Sequence, residues 1–317
     1  MGARIISERL SYKLRTMEMP FMSPPSFDAG VSTTPGPADA AGDWFIFQGD
    51  RLLVEMGPPT PAPDDPRVAS RPAWARLALQ KRNIDHNWLG FTPTRTLYVG
   101  CLEGTHCWAV EAPPDAAAPP ATGWAGLRSL FSVLADAHFA VAGRALQLLD
   151  WDRSHQFCGR CGGPTSAQSD ERARVCPACR LSVYPRIAPA IMALIRKGSQ
   201  VLLGRSSHFP AGMYSALAGF VEPGETLEQC VAREVEEEVG LRVSHIRYFA
   251  SQPWPFPHSL MIAFVCDWES GEINPREGEI EAAHWFDVLQ LPKLPSRISI
   301  SRRLIDAVTE EMRARLA

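Results

Sequence analysis

Between Gly219 and Leu241 the chain reads GFVEPGETLEQCVAREVEEEVGL, a stretch carrying seven glutamates. Glutamate-rich helices ordinarily present a solvated face, and this one does not fit that description. Thr226 to Val239 contains neither Gly nor Pro, and Gly240 follows where a helix C-terminus favours glycine, so a helix is expected. On a helical wheel Leu227, Cys230, Val231 and Val235 form one apolar arc, and Thr226, Gln229, Arg233 and Glu236 take the opposite, solvent arc. Glu234 and Glu238 fall inside the apolar arc, with Glu237 at its edge. Carboxylates turned inward three and four residues apart repel one another, and desolvating each costs several kcal/mol unless it is paired. Arg233 reaches only part of the cluster. A hard divalent cation, taking oxygen ligands and keeping waters for a phosphate substrate, compensates it better. Gly219 and Gly224 permit a tight turn ahead of the helix, and Glu225 stands near its N-terminus as a capping or supporting carboxylate.

A second group is built from sulfur. Cys158-Gly-Arg-Cys161 and Cys176-Pro-Ala-Cys179 are two Cys-x-x-Cys knuckles with 14 residues between them. Four thiolates suit tetrahedral zinc and leave no open position, which makes the site structural. A redox dithiol is the competing reading, and duplication of the motif counts against it. Cys101, Cys107, Cys230 and Cys266 are scattered through apolar surroundings. The pattern favours metal binding in a reducing compartment over a disulfide framework, and the cytoplasm is the expected location. Arg160, Arg172, Arg174 and Arg180 suit either nucleic-acid contact or a solvated surface.

A third stretch, Ser251-Gln-Pro-Trp-Pro-Phe-Pro-His-Ser259, alternates proline with large aromatics. Its prolines hold the backbone extended and preset Trp254 and Phe256 as stacking surfaces. The alternative is a rigid loop that packs the same rings into a core.

These groups need elements to hold them, and 317 residues allow two or three domains. The net charge of -3 gives no global reason for a nucleic-acid or membrane partner. No apolar run reaches the roughly 18 residues of a membrane span. Residues 1–42 lack periodicity, end in PPSFDAGVSTTPGPADAAG and are expected to be a disordered leader. Arg4, Arg9, Lys13 and Arg15 precede no apolar core and cleavage site, which leaves a transit peptide, a loose leader or a true start at Met17, Met19 or Met22. Hairpins are expected in WFIFQGDRLLVE and TLYVGCLEGTHCWAVEA, and a helix near Gly126 to Leu149 with Leu127, Leu130, Phe131 and Leu134 at helical intervals. They form a small N-terminal domain over 43–153, followed by the cysteine module at 154–184. Residues 185–317 then offer strands IAPAIMALI and QVLLGRS, the glutamate helix, strands HIRYFA and LMIAFVCDW, and a helix near Ile298 to Leu316. That mixture implies an α+β catalytic domain.

Gly219, five residues, Glu225, seven residues and then Arg233 to Leu241 (REVEEEVGL) is similar to the Nudix box at every defined position. Ser251 to Ser259 is similar to the SQPWPFPxS signature of the NADH pyrophosphatase (NudC-type) branch of the Nudix hydrolases, with His258 at the variable position. The resemblance runs from about Asp43 to the C-terminus and is densest over Cys158 to Trp285; the leader before Asp43 has no counterpart. It implies an α+β fold, a Nudix α/β/α sandwich with a small N-terminal α/β domain and a zinc ribbon between them. The implied activity is metal-dependent hydrolysis of NADH, and of NAD+, to NMNH or NMN and AMP, with removal of NAD caps from RNA as a further activity. The implied state is a cytoplasmic homodimer whose active sites draw on both subunits.

The same resemblance implies site residues. Mg2+ or Mn2+ falls to Glu234, Glu238 and the carbonyl of Ala218, with Glu237 close by and a further glutamate aligned as Glu279, Glu277 and Glu281 being its neighbours. The general base is Glu237 or Glu279. Gln252, Pro253, Trp254, Pro255, Phe256, Pro257, His258 and Ser259 line the dinucleotide pocket, with Phe220 as a stacking partner. Glu171 and Tyr184 match substrate-contacting positions on the zinc module, as do Arg128 and Ser301 elsewhere; relatives commonly carry alanine where Ser301 stands. A nucleotide sensor that binds without hydrolysis is the alternative, and such proteins usually lose box glutamates that are all present here.

Overall fold

The computed structural model describes residues 19–30, 41–62 and 68–316. In the N-terminal unit the strands of one mixed sheet run in the order Phe27–Asp28, Arg95–Leu102, Thr105–Glu111, Gly42–Gln48, Arg51–Met56, Gly123–Gly126. The strand GDWFIFQ is buried along its whole length because both sheet faces are covered. Alternation sends Phe45 and Phe47 to the core beside helix α1 (Asp136–Ser154), and Trp44 and Ile46 to the opposite core with Leu53 and Trp108. Both expected hairpins form, turning at Gly49 and at Glu103–Gly104, where φ is 63°, 50° and 79°. The single helix expected from Gly126 to Leu149 is instead a 3-10 turn at Leu127–Leu130 followed by α1. Ser132, at φ 60°, interrupts the helical path, while Leu127, Leu130 and Leu134 still reach the core.

Residues 19–30 fall within the stretch expected to be disordered, and two of them are buried in the described structure. Met19 and Phe21 are each 5% exposed. Phe27–Asp28 pairs with Cys101–Leu102, and Arg172 donates to the carbonyls of Ala29 and Gly30. A turn-rich composition concealed large apolar side chains whose partner surface is contributed by distant sequence. Residues 1–18 and 31–40, the remainder of the expected leader up to Ala40, lie outside the described residues.

The cysteine module is a three-stranded sheet of Ser166–Ala167, Arg174–Val175 and Ser182–Val183. Two of its arginines fasten it to the N-terminal unit. Arg174 donates to Asp152 Oδ1 at 2.5 Å, and Arg172 donates to the Tyr98 carbonyl at 2.7 Å.

The C-terminal sheet runs Arg242–Trp254, Ser259–Ser270, Ala188–Lys197, Gln200–Arg205, Ala282–Asp287, with Leu217–Phe220 also paired to Ala188–Lys197. Ala188–Lys197 and Ser259–Ser270 are parallel, the other pairs antiparallel. Helix α2 (Leu227–Val239) packs Cys230, Val231, Val235 and Val239 onto Ile191, Ala193 and Ile195. Helix α3 (Ile300–Leu316) packs Leu304, Ile305 and Val308 onto Met192 and Leu194 from the other side, completing an α/β/α sandwich. The strand expected at HIRYFA continues through Ser251–Trp254, where Pro253 pairs with Leu260. Proline is tolerated there because the strand is at the sheet edge and, among the described residues, has no further strand to donate to. Among the described residues, no helix is long and apolar enough to cross a membrane.

Candidate active site

Helix α2 begins at a capping box. Thr226 Oγ1 accepts the Gln229 N–H at 3.2 Å, and Gln229 Oε1 accepts the Thr226 N–H at 2.8 Å. Glu225 is therefore not needed as a cap. It accepts Arg233 Nε at 2.5 Å and Nη2 at 3.0 Å, and the Glu222 N–H at 3.0 Å. The Arg233 guanidinium and that N–H hold its carboxyl down at about 2. Arg233 itself leaves the solvent arc on which the wheel puts it. Its side chain folds back, donating Nη1 to Glu234 Oε1 at 2.9 Å and to Glu237 Oε2 at 3.1 Å, and Nη2 to the Phe220 carbonyl at 3.0 Å. The signal that could have found this hub is its separation of four residues from Glu237 on one helix.

The inward-turned glutamates are where the wheel puts them. Glu238 is 8% exposed and its Oε2 is buried with no hydrogen-bond partner among the described residues. Burial pushes the Glu238 carboxyl up to about 8, and the charges of Glu234, Glu279 and Glu237 add to the effect. Burial also raises Glu234, against the opposing pull of Arg233. A Cβ on Gly219 would overlap the Glu234 carboxyl, so glycine is what leaves that carboxylate room against the strand Leu217–Phe220. Ala218, the residue before it, is exposed.

This donor set fits a hard divalent cation. It consists of oxygens alone, it carries excess negative charge, and it includes a buried carboxylate oxygen lacking any partner. Of the three glutamates on the following segment, Glu279 is the one whose charge acts on both Glu234 and Glu238. All three are exposed, and Glu281 is turned to Arg205 at 3.1 Å. Arg276 Nη1 lies 3.5 Å from Glu279 Oε2 and 3.8 Å from Glu237 Oε2.

The other site candidates divide into those that present surface and those that do not. Glu171 and Tyr184 meet, the Tyr184 hydroxyl donating to both carboxylate oxygens at 3.2 Å. Phe220 is 60% exposed. Trp254 and Phe256 are half-buried rings 5.2 Å apart, and the Arg128 guanidinium lies 4.8 Å and 3.8 Å over them. Pro255 and Ser259 are buried, Pro253 and His258 half-buried, and Pro257 exposed. Gln252 and Ser301 are both 0% exposed and engaged elsewhere. Gln252 Nε2 donates to the carbonyls of Pro20 and Ile298, and its Oε1 accepts the Ile300 N–H. Ser301 Oγ lies 2.7 Å from Ser215 Oγ and accepts the Ala216 N–H at 3.2 Å. These two side chains brace the start of α3 rather than offering polar atoms to a ligand.

The four cysteine sulfurs lie within 4.8 Å of one another. Among the described residues they are the one group of three or more such ligands to converge in this way. Backbone N–H groups of Arg160 and Cys161 draw the Cys158 thiol down to about 6, favouring the thiolate that binds zinc.

Three family models match the chain. They are the NADH pyrophosphatase-like rudimentary NUDIX domain over residues 41–151, the NADH pyrophosphatase zinc ribbon domain over 153–184 and the NUDIX domain over 185–308. The NAD-capped RNA hydrolase NudC of Chromobacterium violaceum is 48% identical over 270 residues, covering 85% of this chain and 92% of that protein. The protein of the same description from Deinococcus radiodurans is 50% identical over 200 residues, covering 62% and 71%. Among solved structures, a NUDIX hydrolase from Nitrosomonas europaea aligns at 24% identity with a TM-score of 0.43, covering 50% of this chain and 92% of that one.

Proposed function

The chain belongs to the Nudix hydrolases of the NADH pyrophosphatase (NudC) type, and we propose that it hydrolyses the pyrophosphate bond of NADH and NAD+, releasing AMP with NMNH or NMN. Removal of the NAD cap from RNA, the activity for which its relatives are named, belongs to the same reading. The observation that carries the proposal is the pair Glu234 and Glu238, drawn into an otherwise apolar helix face with Glu238 Oε2 unpartnered. So costly an arrangement calls for a bound cation to compensate it.

Glu234, Glu238 and the Ala218 carbonyl, with Glu279 as an additional ligand, would hold Mg2+ or Mn2+. When bound, such ions neutralise charge on phosphoryl oxygens and lower the pKa of a coordinated water. Arg233 sets the orientation of Glu234 and Glu237 while Glu225 anchors Arg233. The proton of the attacking water passes to Glu237 or Glu279, whose side chains are 44% and 52% exposed and so hand it on to solvent. Trp254, Phe256 and Phe220 supply stacking faces for the dinucleotide, and Arg128 a cation beside them. The Glu171–Tyr184 pair offers an acceptor and a hydroxyl to ribose. Zinc at the four cysteines holds the ribbon that carries this pair. A cytoplasmic homodimer is part of the proposal, and Phe157 and Ile187, 70% and 61% exposed beside the ribbon, suit a second copy.

The test is to incubate the purified protein with NADH and Mg2+ or Mn2+ and to resolve the products by chromatography. AMP and NMNH in equal amounts, lost on adding chelator, are expected. Absence of turnover on NADH, NAD+ and NAD-capped RNA by zinc-loaded, folded protein would overturn the reading in favour of the sensor.

A further inference from the structure

We infer that Phe21 is a positioning residue for the dinucleotide pocket, acting through the hairpin that carries Trp254 and Phe256; this rests on the function proposed above. Residue 21 precedes the first matched family model, which starts at residue 41. Its ring nevertheless stacks on Phe139 at 4.4 Å and meets Trp254 and Phe256 edge-on at 6.2 Å and 5.6 Å. Those two rings carry the Arg128 guanidinium. Phe21 thus forms one wall of a cluster that joins the core residue Phe139 to Trp254 and Phe256, the rings proposed to meet the substrate.

Several independent contacts hold the ring there. The Phe21 backbone has φ 67°, a conformation that bulky residues rarely adopt and that persists only where the surroundings enforce it. The Pro20 carbonyl accepts Gln252 Nε2 at 3.1 Å, clipping the segment to the strand just before the turn that carries Phe256, while the Phe21 ring meets Phe256 itself. From the other side α1 comes close at Gly143. A Cβ there would collide with Phe21 Cδ1 and stand 3.1 Å from Pro255 Cγ. The ring is wedged between α1 and the hairpin, with no slack on either side.

Removing the ring leaves a void beside Trp254 and Phe256 and frees them to change rotamer, so Arg128 loses its fixed platform. Glu234, Glu237, Glu238 and Arg233 lie on α2, and Arg233 holds Glu234 and Glu237 without help from Phe21, so the loss falls on substrate binding rather than on turnover.

The experiment uses the full-length, zinc-loaded protein with NADH and saturating Mg2+ or Mn2+, measuring kcat, KM and thermal melting together. Phe21→Ala is expected to raise KM about tenfold with kcat within about twofold of wild type. Phe21→Leu, which keeps apolar bulk, is expected to restore most of the affinity. Gly143→Ala, which displaces the same ring without altering it, should shift KM in the same direction. An unchanged KM in Phe21→Ala, or kcat lost in step with melting temperature at constant KM, overturns the positioning role while wild-type turnover upholds the pyrophosphatase reading. Wild-type protein that neither binds nor cleaves NADH overturns both.

Discussion

Arg233 and Glu225 form a two-pronged ion pair across the start of the box helix, Nε donating to Oε1 at 2.5 Å and Nη2 to Oε2 at 3.0 Å. The pair ties the loop ahead of α2 to the helix and leaves Nη1 for Glu234 and Glu237. A planar fork does this and an ammonium does not. Arg233→Lys is therefore expected to lower kcat/KM by roughly tenfold to a hundredfold through misplaced carboxylates. Steady-state kinetics, with circular dichroism and zinc content unchanged, would show it; full activity in the variant would remove Arg233 from the site.

Gly219 has a steric reason to be glycine. Because any Cβ there overlaps the Glu234 carboxyl, Gly219→Ala must push Glu234 or the strand away. The expected outcome is loss of metal-dependent turnover with the fold retained. Isothermal titration with Mn2+ would read the weakened site directly, and wild-type Mn2+ affinity would argue against Glu234 as a ligand.

Glu238 makes a prediction about pH in the cation-free protein. Its folded-state value of about 8 stands above its ordinary 4.5, so the folded state keeps a proton that the unfolded chain has released. This contribution leaves stability undiminished below about 4.5 and erodes it as pH rises toward about 8, by on the order of 4 kcal/mol. Glu238→Gln should abolish turnover, flatten that slope and make the chelator-treated protein more stable than wild type at pH 8. Calorimetry across pH in chelator tests this, and parallel slopes in the two proteins would refute it.

Cys176 is fully buried among the sulfurs. Cys176→Ala is expected to drop zinc from one per chain to none by elemental analysis and to lower the melting temperature. It should also raise KM, because Glu171 and Tyr184 depend on the ribbon for their mutual hydrogen bond. Retention of zinc with three cysteines and unchanged KM would contradict this.

Much of the architecture was legible in the linear chain. The apolar run IAPAIMALI marks a strand, and the structure turns Ile191 and Ala193 to one helix and Met192 and Leu194 to the other. The conflict between an apolar arc and the glutamates on it needed only helix geometry to be seen. Polar roles inside a motif were harder to assign. Gln252 and Ser301 stand in stretches associated with substrate, yet their polar atoms are spent on backbone groups and on Ser215. Residue type shows that a side chain needs a partner and leaves open which partner it finds.

The box helix, the hairpins and the four-cysteine knuckles follow from residue types at short intervals, because backbone geometry over a few turns is a local property. Packing of the whole chain settled the long-range partners: Phe21 against Phe256, Arg172 on the Tyr98 carbonyl, Arg174 on Asp152, and Gln252 between Pro20 and Ile300. Each joins residues separated by tens to hundreds of positions. Such contacts form only after chain entropy has been overcome by burial elsewhere, so no local pattern records them.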